Sequence, residues 1–130
     1  MIYIDSSFFV ALVDKKDDWH NDAVRIKNSE YSKQKFVVSN FIISEALTII
    51  GKRMDGRIAN ELFRYFIDNC VIIYANEEEF LEAIPVFLKH NGKISIPDAI
   101  SIVLMMKNDI KEIISFDSDF DKVSGISRVH

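Results

Sequence analysis

The sequence predicts an α/β fold of three layers, a parallel sheet of four or five strands between helices. Short apolar runs rich in branched residues recur at Ile2–Ile4, Phe36–Val38, Cys70–Ala75 and Ile113–Phe116. Segments with apolar residues at helical spacing separate them, and that alternation is the signature of a parallel sheet. Two of the strands also run directly into an acid, Asp5 and Asp117. Polar residues in that position are delivered to the carboxyl edge of the sheet, where open α/β folds bind ligands.

The first unit is organised around Ile2-Tyr3-Ile4-Asp5-Ser6-Ser7, a strand that stops on an acid and two hydroxyls before the helical run from Phe8 to Val13. Asp17-Asp18-Trp19-His20 opens a polar-rich helix whose apolar positions are Trp19, Ala23, Val24 and Ile26. A polar linker, Tyr31 to Lys35, precedes the second strand. Ser39-Asn40 then caps a helix carrying Phe41, Ile42, Ala46, Leu47, Ile49 and Ile50. Asp55-Gly56 marks a turn, and Ile58, Leu62, Phe63, Phe66 and Ile67 define a helix over about Arg57 to Asp68.

The continuous apolar run Cys70 to Ala75 is expected to be a strand covered on both faces. Asn76 and three Glu residues start the next helix, with acids where the helix dipole favours them. Pro85 predicts a kink or break within it. His90-Asn91-Gly92 closes that helix, and Ser95-Ile96-Pro97-Asp98 begins a very apolar one reaching Met106. Ile126 to Val129 is a candidate fifth, peripheral strand.

With 130 residues, 48% of them hydrophobic, and no repeats or internal linkers, residues 1–130 are expected to form one domain with a substantial core. No apolar run approaches the ~20 residues of a membrane span, and no basic leader precedes the first strand. A lone cysteine, Cys70 in apolar surroundings, forms no internal disulfide and is expected to be a buried thiol. These features predict a cytoplasmic protein. The formal charge of −4 disfavours non-specific binding to nucleic acid, although acids loaded with divalent cations present positive charge to a phosphate.

Four carboxylates share a pattern. Asp5 and Asp117 follow strands, Asp98 sits in the first turn of an apolar helix, and Glu45 lies about one turn into another with little polar face around it. Each has a purely structural use. Asp5 or Ser6 caps a helix, Asp98 completes a capping box with Ser95, and Asp117 with Asp119 shapes a turn. Strand ends and the helix starts that follow them nevertheless share one edge of a parallel sheet. Carboxylates crowded together raise one another's pKa and call for a cation.

An all-oxygen set, with hydroxyls from Ser6 and Ser115, selects a hard ion such as Mg²⁺ or Mn²⁺. Zinc is disfavoured because Cys70 is isolated and His20, His90 and His130 lack ligand spacing. The chain has no Gly-rich phosphate loop and no Gly-x-Ser-x-Gly elbow.

These motifs, taken in order, resemble the PIN-domain nucleases over nearly the whole chain. The resemblance lies in Ile4-Asp5-Ser6-Ser7-Phe8, Asp17 with His20 and Ala23, Ser44-Glu45-Ala46, Pro97-Asp98-Ala99, and Ser115-Phe116-Asp117-Ser118-Asp119-Phe120. Length and start position look most like the small ribonuclease toxins of toxin–antitoxin pairs, the VapC type. The resemblance implies that Asp5, Glu45, Asp98 and Asp117 form the acidic quartet. It places Ser115 as the supporting hydroxyl and Asp119 at a more variable acidic position. It further implies metal-dependent hydrolysis of RNA leaving a 5′-phosphate, an antitoxin partner and a homodimer. One or two ions held by Asp5, Asp98 and Asp117 would activate a water and stabilise the leaving oxygen, with Glu45 positioning an ion or the water.

The apolar helices Phe41–Ile50 and Arg57–Asp68 are the expected dimer surface. Two rivals stand beside this reading. One is a PIN-like module that binds RNA or protein without cleaving. The other is a phosphatase of the haloacid-dehalogenase type, which needs a second Asp where this chain has Ser7.

Overall fold

In the computed structural model, which describes residues 1–130, five parallel strands form one sheet. They are β1 (Ile2–Ile4), β2 (Phe36–Ser39), β3 (Cys70–Ile73), β4 (Glu112–Ile114) and β5 (Ser127–Val129), in the order β3-β2-β1-β4-β5. The expected three-layer α/β fold is therefore present, with the fifth strand at the sheet's edge.

Six helices make the connections: α1 (Ser6–Val13), α2 (His20–Lys27), α3 (Asn40–Arg53), α4 (Gly56–Asn69), α5 (Glu77–Lys89) and α6 (Ile96–Lys107). The chain moves outward from β1 to β2 to β3, then returns to β4 on the far side of β1. Right-handed crossovers in opposite directions put the two sets of helices on opposite faces. Accordingly α1 packs on α2 and α3, α3 on α4, and α5 on α6. The order reverses between β1 and β4, whose register pairs Ile4 with Ile114. Their carboxyl ends thus border the crevice where ligands bind in such sheets.

One continuous hydrophobic cluster of 32 buried residues fills the space between the layers. Phe8, Phe9, Phe36 and Phe66 meet edge to face, with Phe9 and Phe66 centroids 4.7 Å apart. Truncating such a ring to alanine costs ~3–5 kcal/mol, so this aromatic knot fixes α1 against α4 and β2. The helix starts follow their sequence signals. Ser39, Asp55 and Ser95 accept from Ile42, Ile58 and Asp98 amides, and Asn76 with Glu79 closes a reciprocal capping box.

Several expectations need correction. The run after Cys70 is an edge strand of four residues with Val71 exposed, not a strand covered on both faces. The Cys70 thiol is only half-buried, though burial still pushes it up to about 11. Helix α5 is not broken at Pro85. The proline lies on the exposed face, and the carbonyl it leaves without a donor belongs to the solvent-facing Leu81, so water can satisfy it. Trp19 precedes α2 as its N-cap residue and is exposed rather than packed as an apolar helix position.

Candidate active site

Asp5 leaves β1 in the position of the α1 N-cap, yet its side chain makes no capping bond. Its backbone amide instead donates to the Ile114 carbonyl at 3.0 Å, continuing the β1–β4 ladder and aiming the carboxyl across the crevice. One oxygen, Oδ2, accepts from the hydroxyls of both Ser7 and Ser115, each at 2.8 Å. The other, Oδ1, is buried with no partner. A buried carboxylate oxygen left unpaired is costly. Its presence here is inconsistent with a simple helix cap.

The remaining acids arrive from three other elements. The carboxylate of Glu45, on α3, accepts from the Ser6 hydroxyl. Asp98, in the first turn of α6, is buried, and its amide donates to the Ser95 hydroxyl at 3.1 Å. Asp117 follows β4, and its Oδ1 accepts from the Asp119 amide at 2.9 Å. Its own amide donates to Ser115 Oγ, so Ser115 braces Asp5 and Asp117 together. An open cleft of about 270 Å³ collects Asp5, Ser6, Ser7, Glu45, Asp98 and Asp117 in its lining.

The electrostatics confirm that these acids share one field. Burial pushes the Asp5 carboxyl above the usual carboxylate range. The Ser7 and Ser115 hydroxyls oppose that shift, and the charge of Glu45 adds to it. Asp98 is pushed up to about 8, first by burial, then by the charges of Asp5, Glu45 and Asp117. Two neighbouring carboxyls, both pushed above the usual carboxylate range by burial and by nearby acids, are the electrostatic pattern of a candidate cation site.

No three acids or other ligand side chains stand close enough to hold an ion as a closed cage. That argues against a structural calcium-type site, but Mg²⁺ is ordinarily held by one or two carboxylates plus water and substrate phosphate. The orphaned Asp5 Oδ1 and the exclusively oxygen donors of the cleft fit that mode.

Not every expected residue joins the cleft. Asp119 pairs with Lys122 at 3.3 Å and does not line it. The two-residue advance from Asp117 into a short 3₁₀ turn carries its side chain away. Conversely, the cleft lining includes residues that the sequence does not mark as site candidates, among them Ser7, Trp19, Arg53 and Phe116. Ser7 had a legible signal, a second hydroxyl two positions past the acid. Trp19, Arg53 and Phe116 come together only in three dimensions, and Phe116 had counted merely as strand.

The fold and the cleft define a class, and the comparisons agree with it. A family model described as PIN domain matches residues 2–126, and the chain belongs to the PIN domain family. It is 29% identical over 124 residues to the 23S rRNA-specific endonuclease VapC20 of Mycobacterium tuberculosis, covering 92% of each chain. The crystal structure of that protein, described as a sarcin–ricin loop cleaving toxin, superposes with a TM-score of 0.85 at 23% identity over 95% of both chains. VapBC2 from Rickettsia felis, bound to a DNA fragment from its promoter, gives 0.70 at 13% identity, covering 99% of this chain and 98% of that one. A toxin–antitoxin complex from Klebsiella pneumoniae gives 0.69 at 14%, covering 98% and 96%.

Proposed function

We propose that this protein is a metal-dependent endoribonuclease, the toxin of a toxin–antitoxin pair. The single observation that carries the reading is the orphaned Oδ1 of Asp5 inside a cleft that also gathers Glu45, Asp98 and Asp117. Membership of the PIN domain family and similarity to an rRNA endonuclease support RNA as the substrate.

In this reading Mg²⁺ or Mn²⁺ would be held by one or two of the carboxylates of Asp5, Asp98 and Asp117 together with water and substrate phosphate, with Glu45 beside them. The bound ion supplies Lewis-acid polarisation of the phosphodiester and a more acidic water. The chain does the positioning. Ser7 and Ser115 fix Asp5 Oδ2 and leave Oδ1 without a partner, and Ser115 ties that arrangement to the Asp117 backbone. Ser6 restrains Glu45, whose carboxylate is placed to orient a water and accept its proton. Asp98 releases its proton as positive charge arrives, because its raised pKa comes from burial and neighbouring acids.

Four intact acids argue for cleavage over the binding-only alternative, and Ser7 donating to Asp5 leaves no second carboxylate for a dehalogenase-type phosphatase. The proposal extends to an antitoxin partner, by analogy with the toxin–antitoxin complexes among the structural neighbours, and to a homodimer, which the resemblance to VapC-type proteins implies. No helix is long and apolar enough to cross a membrane, which accords with a cytoplasmic enzyme.

The decisive experiment incubates purified protein with total ribosomal RNA and with synthetic RNA in Mg²⁺, Mn²⁺ or chelator. Cleavage in metal, lost in chelator and in Asp5→Asn, is the expected outcome. Retention of RNA binding with no cleavage under any metal would favour the binding module. A small adjacent reading frame encoding a DNA-binding protein would support the toxin assignment.

A further inference from the structure

One module at the rim of the cleft is not used by the acid chemistry. Trp19 lies flat on Phe116, with centroids 5.3 Å apart and planes within 3° of parallel. Phe116 is buried and sits between Ser115 and Asp117, and its amide donates to Ser7 Oγ at 3.0 Å. The lower ring of the stack is therefore bolted to the groups that hold Asp5. Trp19 as a whole is 47% exposed, although tryptophan is highly buried on average.

Asp17 anchors the same rim. Its Oδ1 accepts from the Trp19 amide at 2.9 Å and its Oδ2 from Arg53 Nη1 at 2.8 Å. Arg53 is also paired with Asp14 at 3.1 Å and is the one basic residue lining the cleft. Two tethers to acids fix where its guanidinium stands, while the side chain remains 44% exposed and keeps donors for another anion. An aromatic face and a fixed cation on one lip, facing carboxylates suited to metal, match what a single strand presents, a flat base beside a charged phosphate.

We propose that Trp19 is a stacking platform for an unpaired nucleobase of the substrate strand, and that Arg53 contacts a backbone phosphate next to that base. The inference rests on the endoribonuclease reading and specifies the substrate further: the strand enters the cleft with a base out of its stack. A protein of formal charge −4 gains little from diffuse phosphate attraction. A stacking contact and one localised cation provide binding that the net charge does not.

Trp19 is the chain's only tryptophan, so its fluorescence reports on this contact without mutation. The native protein is titrated with a single-stranded oligoadenylate and with a sugar–phosphate oligomer of equal length lacking bases. Ca²⁺ serves as the only divalent ion, so that binding is read apart from turnover. Oligoadenylate should quench the fluorescence and the abasic oligomer should not.

Trp19→Ala should weaken oligoadenylate binding by roughly fivefold or more, and Trp19→Phe should restore most of it. In cleavage assays KM should change more than kcat. Arg53→Gln should flatten the dependence of log binding constant on log salt by about one. Binding and cleavage by the native protein with unaltered fluorescence, or with Trp19→Ala binding as tightly as the parent, would overturn the platform while leaving the nuclease standing. Equal quenching by the abasic oligomer would also reject it, since bases would then be irrelevant. Neither binding nor cleavage by the native protein would sink both together.

Discussion

The hydroxyl of Ser115 donates to Asp5 at 2.8 Å across 110 residues of sequence, joining the ends of the two central strands. The bond explains why Asp5 occupies a cap position without capping. With Ser7 and Ser115 both on Oδ2, the other oxygen is left buried without a partner.

Ser115→Ala tests that division of labour. It leaves the buried Asp5 with one hydroxyl donor and the Asp117 amide without its acceptor. A loss of ~1–3 kcal/mol is expected in the denaturant unfolding of the metal-free protein. Ser115→Thr, which keeps the hydroxyl, should lose less. Parental stability for the alanine variant would show that Asp5 does not depend on this contact.

Divalent ions should stabilise the protein by binding the folded state alone. At a free concentration 100 times the dissociation constant the gain is about 2.7 kcal/mol, visible as a rise in Tm with millimolar Mg²⁺ or Mn²⁺. Asp5→Asn should abolish the rise, because it removes the carboxylate that carries the unpaired buried oxygen. An unshifted Tm in the parent would count against the cleft as a cation site.

The positions of the strands and most helix starts were legible because each rests on local chemistry: β-branched runs, Ser39 and Asn76 caps, the Asp55-Gly56 turn. The acidic set was legible for a related reason. A residue that follows a strand within a few positions goes to a known edge of the sheet, so Asp5, directly after β1, and Asp117, three residues past the end of β4, could be placed from sequence neighbours alone. Asp119 could not, since a 3₁₀ turn changes side-chain direction in two residues. Arg53 was hidden as well, because at the last turn of α3 it looks like an ordinary partner for the helix dipole. Only the tertiary fold shows it tied to Asp14 and Asp17.

For the proposed homodimer, exposed apolar residues are found on α4 and α5 rather than on α3. On α3, Phe41, Leu47 and Ile49 are half-buried against the core. The outward apolar residues are Phe63 and Ile67 on α4, Tyr74 after β3, and Phe80, Leu81 and Leu88 on α5. Light scattering should give twice the chain mass of 15.0 kDa. Leu81→Glu with Leu88→Glu, on α5, should shift the mass toward the monomer. A monomer mass for the parent across working concentrations would end the proposal.

Asp98 gives the sharpest separation between a cap and a cation site. Its carboxyl is pushed up to about 8 by burial and then by Asp5, Glu45 and Asp117, whereas in the unfolded chain it titrates near ~4. Between those values the folded state binds more protons than the unfolded one, so stability falls as pH rises through the window. Below ~4 both states are protonated and above about 8 both are charged, so the slope from this group vanishes outside it. The metal-free protein should therefore be more stable at pH 5 than at pH 8. Asp98→Asn, which never acquires the charge, should flatten that dependence and exceed the parent at pH 8 by at least ~1 kcal/mol, the worth of one pKa unit. The same variant should lose the metal-induced rise in Tm and RNA cleavage together. If Asp98 only served the first turn of α6, the substitution would instead cost ~0.5–1 kcal/mol and spare cleavage. Urea melts at the two pH values, with and without Mg²⁺, distinguish the cases. A variant less stable at pH 8 that cuts RNA at the parental rate would return Asp98 to a purely helical role.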